Sequence, residues 1–228
     1  MKGIIFSGES VLAIMDGRKT MTRRVIKFPP SFSHADFNIY GYEGPVNGKH
    51  LFTWGRNING AYFDGAVGVN QPYSEGDVLW VREKWRTVDY EYHDCKWSAS
   101  IEYADGSKGL RVFWYNNTDL GIPDDCIYSK TGWQPPRHMP REAARLFLRV
   151  TDVRVERVQD ISTSNCEREG IASDIDRFNG LMTPHHDWIV GEFARLWDTI
   201  NAKRGYGWDS NPWVWVYEFE RVERGAEL

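Results

Sequence analysis

The chain has 228 residues, of which 41% are hydrophobic and 26% charged, and its formal net charge is −4. That charge excludes a protein that is basic as a whole, so a nucleic-acid partner must be met by a local patch. No run of about 18 apolar residues occurs, which excludes a membrane-spanning helix, and Met1 to Phe6, soon followed by Glu9 and Asp16, is not expected to be a secretory leader.

In chain order, Ile4 to Phe6 reads as a short strand. Ser7 caps a helix with Val11, Ile14 and Met15 on its apolar side, and Gly17 ends it. Thr20 to Ile26 has strand composition, with Thr22 and Arg24 on one face and Met21, Arg23 and Val25 on the other. A first insertion covers about 28–75, rich in Gly, Asn and aromatics, with short strands. The strand Gly76 to Glu83 follows, then a second insertion over about 86–140. That insertion holds a hairpin of Ser98 to Tyr103 and Leu110 to Tyr115 turning at Asp105-Gly106.

Leu146 to Val158 reads as a long strand whose apolar phase slips near Thr151-Asp152, as at a bulge or barrel corner. A short helix begins near Thr163 under the cap Ser162 and stops at Gly170. Pro184 to Ala202 is a longer helix with the stripe Ile189, Phe193, Leu196, Trp197 and Ile200, capped by Thr183 and ended at Gly205. Pro212 to Glu220 closes the chain as a central strand. These elements predict one α+β domain over 1–228, a small mixed β-barrel with flanking helices and two long insertions.

Cys95, Cys126 and Cys166 are scattered and form no Cys-x-x-Cys pair, which argues for a reducing compartment, no disulfide framework and no zinc site. The chain is therefore expected to be cytoplasmic. His93-Asp94-Cys95 and His185-His186-Asp187 gather ligand-type residues, but neither has zinc-site spacing, and both read as surface. With no Gly-x-Gly-x-x-Gly or Walker-type loop, neither metal nor cofactor is expected.

Gly17-Arg18-Lys19-Thr20-Met21-Thr22-Arg23-Arg24 is the most unusual stretch, with four cations and two threonine hydroxyls. A lysine hemmed by Arg18, Arg23 and Arg24 should lose its proton more easily, and as a base it could activate the Thr22 hydroxyl. The same cluster could instead bind phosphate, or be a solvated basic turn. Tyr206 and Trp208, beside Lys203 and Arg204, could stack bases or pack in a core. His138, Arg141 and Arg145 suggest a second basic edge. Glu83 and Trp85 are weaker candidates for a site wall.

The order of Gly17-Arg18-Lys19-Thr20-x-Thr22-x-Arg24, Gly76-Asp77-Val78-Leu79, Val150-Thr151 to Ile161, Glu169-Gly170-Ile171 and Val216-Tyr217-Glu218-Phe219 resembles an ASCH domain of the PUA-like superfamily. The stretch Asp198 to Trp208 further resembles phage or prophage proteins of that kind. The resemblance covers roughly half the chain and implies a PUA-like barrel associated with RNA and modified nucleosides. Small bacterial members are amidohydrolases that remove acetyl from N4-acetylcytidine with a lysine, a threonine and a glutamate.

On the matching positions the resemblance implies catalytic Lys19, Thr22 and Glu169; Arg18, Arg23, Arg24, Glu83, Tyr206 and Trp208 are the substrate-contact candidates read from the residues themselves. Met21 is the single departure within the motif, at a variable place, and the two insertions are absent from the small enzymes. Glu169, at the negative end of its short helix, is suited to proton transfer. The other functions this family suggests are a non-catalytic RNA-binding module and a ribonuclease.

Overall fold

The computed structural model describes residues 1–32, 38–58, 61–93, 96–115, 132–171 and 186–225. These form β1 (Lys2–Ile5), α1 (Gly8–Met15), β2 (Met21–Val25), β3 (Asn38–Val46), β4 (Lys49–Ile58), β5 (Ala61–Val69), β6 (Val78–Arg82) and β7 (Trp85–His93). There follow β8 (Lys96–Tyr103), β9 (Lys108–Tyr115), β10 (Phe147–Arg157), α2 (Thr163–Arg168), α3 (His186–Asn201) and β11 (Trp213–Val222). The class is mixed α and β, dominated by strands in several sheets, as expected; no closed barrel is found among the described residues. Among them, too, no helix is long and apolar enough to cross a membrane.

The chain divides into two compact units that interleave along the sequence: Met1–Thr20, Gly76–Thr151 and Phe219–Leu228 form one, Met21–Glu75 and Asp152–Glu218 the other. The strand β10 passes from the first to the second between Thr151 and Asp152. That is where its apolar phase slips.

In the first unit β6 runs parallel to β1, from Lys2↔Leu79 to Ile5↔Arg82, and antiparallel to the start of β10, with Phe147↔Trp80 and Leu148↔Leu79. The capped helix α1 lies between β1 and β2 in sequence, and the Ser7 side chain accepts from the Ser10 N–H as expected. The second insertion is a three-stranded antiparallel sheet in the order β7-β8-β9. Its Trp85, Ala99, Ile101 and Tyr103 pack with Trp80, Met139, Ala143, Ala144 and Phe147 into a buried cluster.

In the second unit β2 pairs antiparallel with β11, and both faces of β11 are buried from Val214 to Tyr217, as a central strand requires. A second cluster forms here from Met21, Val158, Ile161, Cys166, Ile189, Phe193, Trp197, Val214 and Val216. The first insertion is a three-stranded sheet, β3-β4-β5, whose strands of nine or ten residues are longer than expected. Asn47 and Gly48 both have positive φ and join Val46 to its partner Lys49. A two-residue Asn-Gly turn matches the right-handed twist of the strands it connects. Phe52, at the centre of this sheet, is fully buried against the edges of Phe28 and Trp213.

The stripe expected along α3 is narrower than its spacing suggests. Ile189, Phe193 and Trp197 are buried, whereas Leu196 and Ile200 are 36% and 49% exposed. Every fourth residue keeps one line of contact, and the positions beside that line face outward. The expected start of this helix, Thr183 to His185, lies outside the described residues, as do Asp94, Cys95 and Cys126.

Candidate functional site

The basic segment begins on the first unit. After α1 the chain turns through Asp16 and Gly17, and the two cations that follow fare differently. Arg18 is exposed and pairs with Asp16 at 3.0 Å, which is the solvated turn that composition allowed. Lys19 is only 5% exposed. Its N–H donates to the Ala13 carbonyl at 2.9 Å, which folds it back onto the helix. Its Nζ lies 5.9 Å from the centroid of the Phe6 ring, a cation–π distance, and Phe6 in turn meets Phe219 edge to face.

The rest of the segment is β2, in the second unit. Thr22 stands opposite Tyr217 and Arg24 opposite Trp215, while Arg23 stands opposite Val216. Cross-strand partners share a face, so Thr22 and Arg24 lie on the aromatic side of this pair and Arg23 on the other. That is the alternation read from the sequence. Thr22 is 4% exposed. Burial dominates at Arg24 and lowers its pKa below the ordinary arginine value, opposed chiefly by the charge of Glu169. Tyr217, whose ring meets Tyr73 edge to face, has its phenol pushed upward chiefly by burial, so it stays neutral at physiological pH.

On the opposite face Arg23 is buried and bridges two carboxylates. It donates to Glu156 at 2.9 Å and to Glu169 at 3.3 Å. The series continues along β10 and β11. Arg154 donates to Glu156, Asp152 and Glu218, and Arg168 donates to both oxygens of Glu218. Sequence reading did not single out this ladder of alternating charge. Its signal was Asp152, Arg154 and Glu156, spaced i, i+2, i+4 on one strand face. Because Arg23 is held between carboxylates, it is poorly placed to take a phosphate.

Glu169 is 7% exposed and ends α2, as expected. Its N–H donates to Asn165 O at 2.9 Å, and Gly170 takes the left-handed conformation, φ +92°, that halts the helix. The N-cap Ser162 accepts from Asn165 N–H at the other end. Six helical residues held by two caps thus set the position of the Glu169 carboxylate.

The remaining candidates separate cleanly. Glu83 is 1% exposed and is gripped by both ends of Arg145, at 2.8 and 2.7 Å, with Asp105 adding a 2.8 Å contact to the same guanidinium. Arg145 also stacks on Tyr103 at 4.0 Å. The pair is an internal brace of the first unit, and Arg145 does not extend an exposed basic edge with His138 and Arg141. Trp85 is core. Trp208 is partly buried against the second cluster, with its ring edge to face with Phe193 and its N–H on Asp198. The Tyr206 carbonyl accepts from the Trp197 indole at 2.8 Å. This loop is built to close α3. Of the ligand-type clusters, His185, Asp94 and Cys95 lie outside the described residues. Compared with protein-family models, curated proteins and solved structures, the chain has no match.

Proposed function

We propose that the protein is a PUA-like, ASCH-type binder of a modified nucleoside or of RNA, and that it hydrolyses an N-acyl group such as that of N4-acetylcytidine. The observation that carries the reading is burial: Lys19, Thr22, Arg23 and Glu169 are 5%, 4%, 5% and 7% exposed. A solvated basic turn would leave all of these in water. Burying ionic groups costs several kcal/mol each, pairing repays that only in part, and apolar residues of similar size often stabilise such positions as well or better. Polar residues kept inside at that cost are candidates for chemistry.

In the proposed reaction a water, or Thr22 Oγ in a two-step route, adds to the acyl carbon, and the bond from that carbon to the exocyclic nitrogen breaks. Lys19 takes the nucleophile's proton, Glu169 supplies one to the leaving amine, and Arg24 faces the developing oxyanion. Water is consumed, and the products are cytidine and acetate. The scattered cysteines favour a reducing, cytoplasmic setting.

The alternative is a binding module without turnover, and two variants separate the readings. Under the hydrolase reading, Thr22→Ala abolishes product formation while the nucleoside still binds by calorimetry. Under the binding reading, Thr22→Ala changes little and Arg24→Ala weakens affinity with a marked loss of salt dependence.

A further inference from the structure

We propose that the surface around Trp133, within the first unit, is a contact site for single-stranded nucleic acid. It rests on the proposed function only in naming RNA as the strand meant. Trp133 is 39% exposed, which is unusual for the largest apolar side chain. Its backbone neighbour is anchored. The next residue, Gln134, donates its N–H to Trp85 O at 2.7 Å and accepts from Trp85 N–H at 3.3 Å. The Gln134 side-chain amide reaches back to Gly132 O at 2.9 Å. Trp85 itself is fully buried in the first cluster, so the exposed indole is mounted on a core residue. A pre-organised aromatic side chain loses little entropy when a flat ligand stacks on it.

Cations surround that ring. Lys84 Nζ lies 5.3 Å and Arg86 Cζ 4.8 Å from its centroid. Arg86 is also paired with Glu102 at 2.9 Å, which orients it, while Lys84 is exposed. Just beyond Trp133, Arg137 and His138 are exposed on a single 3-10 turn, Pro136–His138. From Gly132 to Arg141 the chain carries Arg137, His138 and Arg141 and no carboxylate, in a protein of net charge −4. A partly exposed indole beside cations offers a platform for a base and contacts for the adjoining phosphates. An acidic peptide would use the cations but not the ring face.

The test is fluorescence anisotropy of a labelled single-stranded 12-mer, as RNA and as DNA, with full-length wild type, Trp133→Ala, Trp133→Phe and Lys84→Ala. The expected result is binding by wild type and by Trp133→Phe, and roughly tenfold weaker binding by Trp133→Ala. Lys84→Ala should lower the slope of log affinity against log salt by about 0.7. RNA and DNA binding alike supports the site, and stronger RNA binding identifies the strand. Three results overturn the proposal: no binding by wild type, equal affinity for Trp133→Ala, or displacement by polyglutamate as efficient as by unlabelled strand. Turnover of free N4-acetylcytidine by Trp133→Ala is measured in parallel. Turnover retained beside lost strand binding supports the surface, and absent turnover by wild type beside Trp133-dependent binding overturns the nucleoside chemistry alone.

Discussion

Arg23 holds two carboxylates on one buried guanidinium, and its removal should be felt more than that of any exposed cation in the same segment. With Arg23→Met the buried bridge between Glu156 and Glu169 is lost. Breaking such a buried pair costs about 3–5 kcal/mol, and Arg23→Met with Glu169→Gln should recover part of it. Urea unfolding measures both, and a loss below about 1 kcal/mol for Arg23→Met would contradict the bridge. Arg18→Ala, by contrast, removes a solvent-exposed pair and should change stability by less than about 0.5 kcal/mol.

The acid side of the stability curve follows from Glu218 in the second unit. Its hydrogen bonds from Arg168, and then from Arg154, lower its pKa below the ordinary glutamate value of 4.5, with burial opposing. A carboxylate depressed in the folded state stabilises it above the unfolded value, and that stability is lost as pH falls through the folded one. Glu83 has the opposite sign, since burial raises it and outweighs Arg145. Its contribution is present at low pH and is lost as pH rises through the glutamate range. Urea midpoints followed between about pH 3 and 6 should therefore fall less steeply for Glu218→Gln than for wild type. An unchanged slope would contradict the assignment.

At the level of elements, α2 is the device that holds Glu169. It has six residues, too few to be stable alone, so its caps matter. Ser162→Ala should cost about 1 kcal/mol, a fall in Tm of about 2–4 °C, and should lower turnover through the displaced Glu169. The caps of α1 and α2, the alternation on β2 and the closing strand β11 were readable from sequence, because a cap follows from one side chain and an alternation or apolar run from a few consecutive residues. The first insertion was not read as three long strands, although Asn47-Gly48 is a strong hairpin signal. Its apolar residues are broken up by glycines, and Thr53 lies over Gly41 and Tyr62 over Gly55 in place of cross-strand pairs. The exposure of Leu196 and Ile200 was hidden for a different reason: a helical stripe reports an apolar face but not how wide a neighbour covers it. For the candidate site, the sequence marked Lys19, Thr22 and Glu169. It could not distinguish the buried Lys19 from the exposed Arg18, nor show that Arg23 answers to carboxylates contributed from 133 and 146 residues downstream.

For the molecule as a whole, two interleaved units with separate buried clusters must both form from one chain. Cys166 offers a reporter for the second. It lies fully buried in the cluster with Met21 and Trp197, and burial pushes its thiol up to about 11. A thiol so placed is protonated and shielded, so peptide-level mass spectrometry should find Cys166 unmodified by iodoacetamide at neutral pH and alkylated once urea unfolds the protein. Rapid labelling in the folded state would contradict that packing. The central claim concerns the buried polar residues of the basic segment, and chromatography of N4-acetylcytidine incubated with wild type, Lys19→Ala and Thr22→Ala tests it most directly. The account predicts cytidine and acetate with wild type and neither with the two variants. Intact N4-acetylcytidine after incubation with wild type, or equal product from Lys19→Ala, would contradict it.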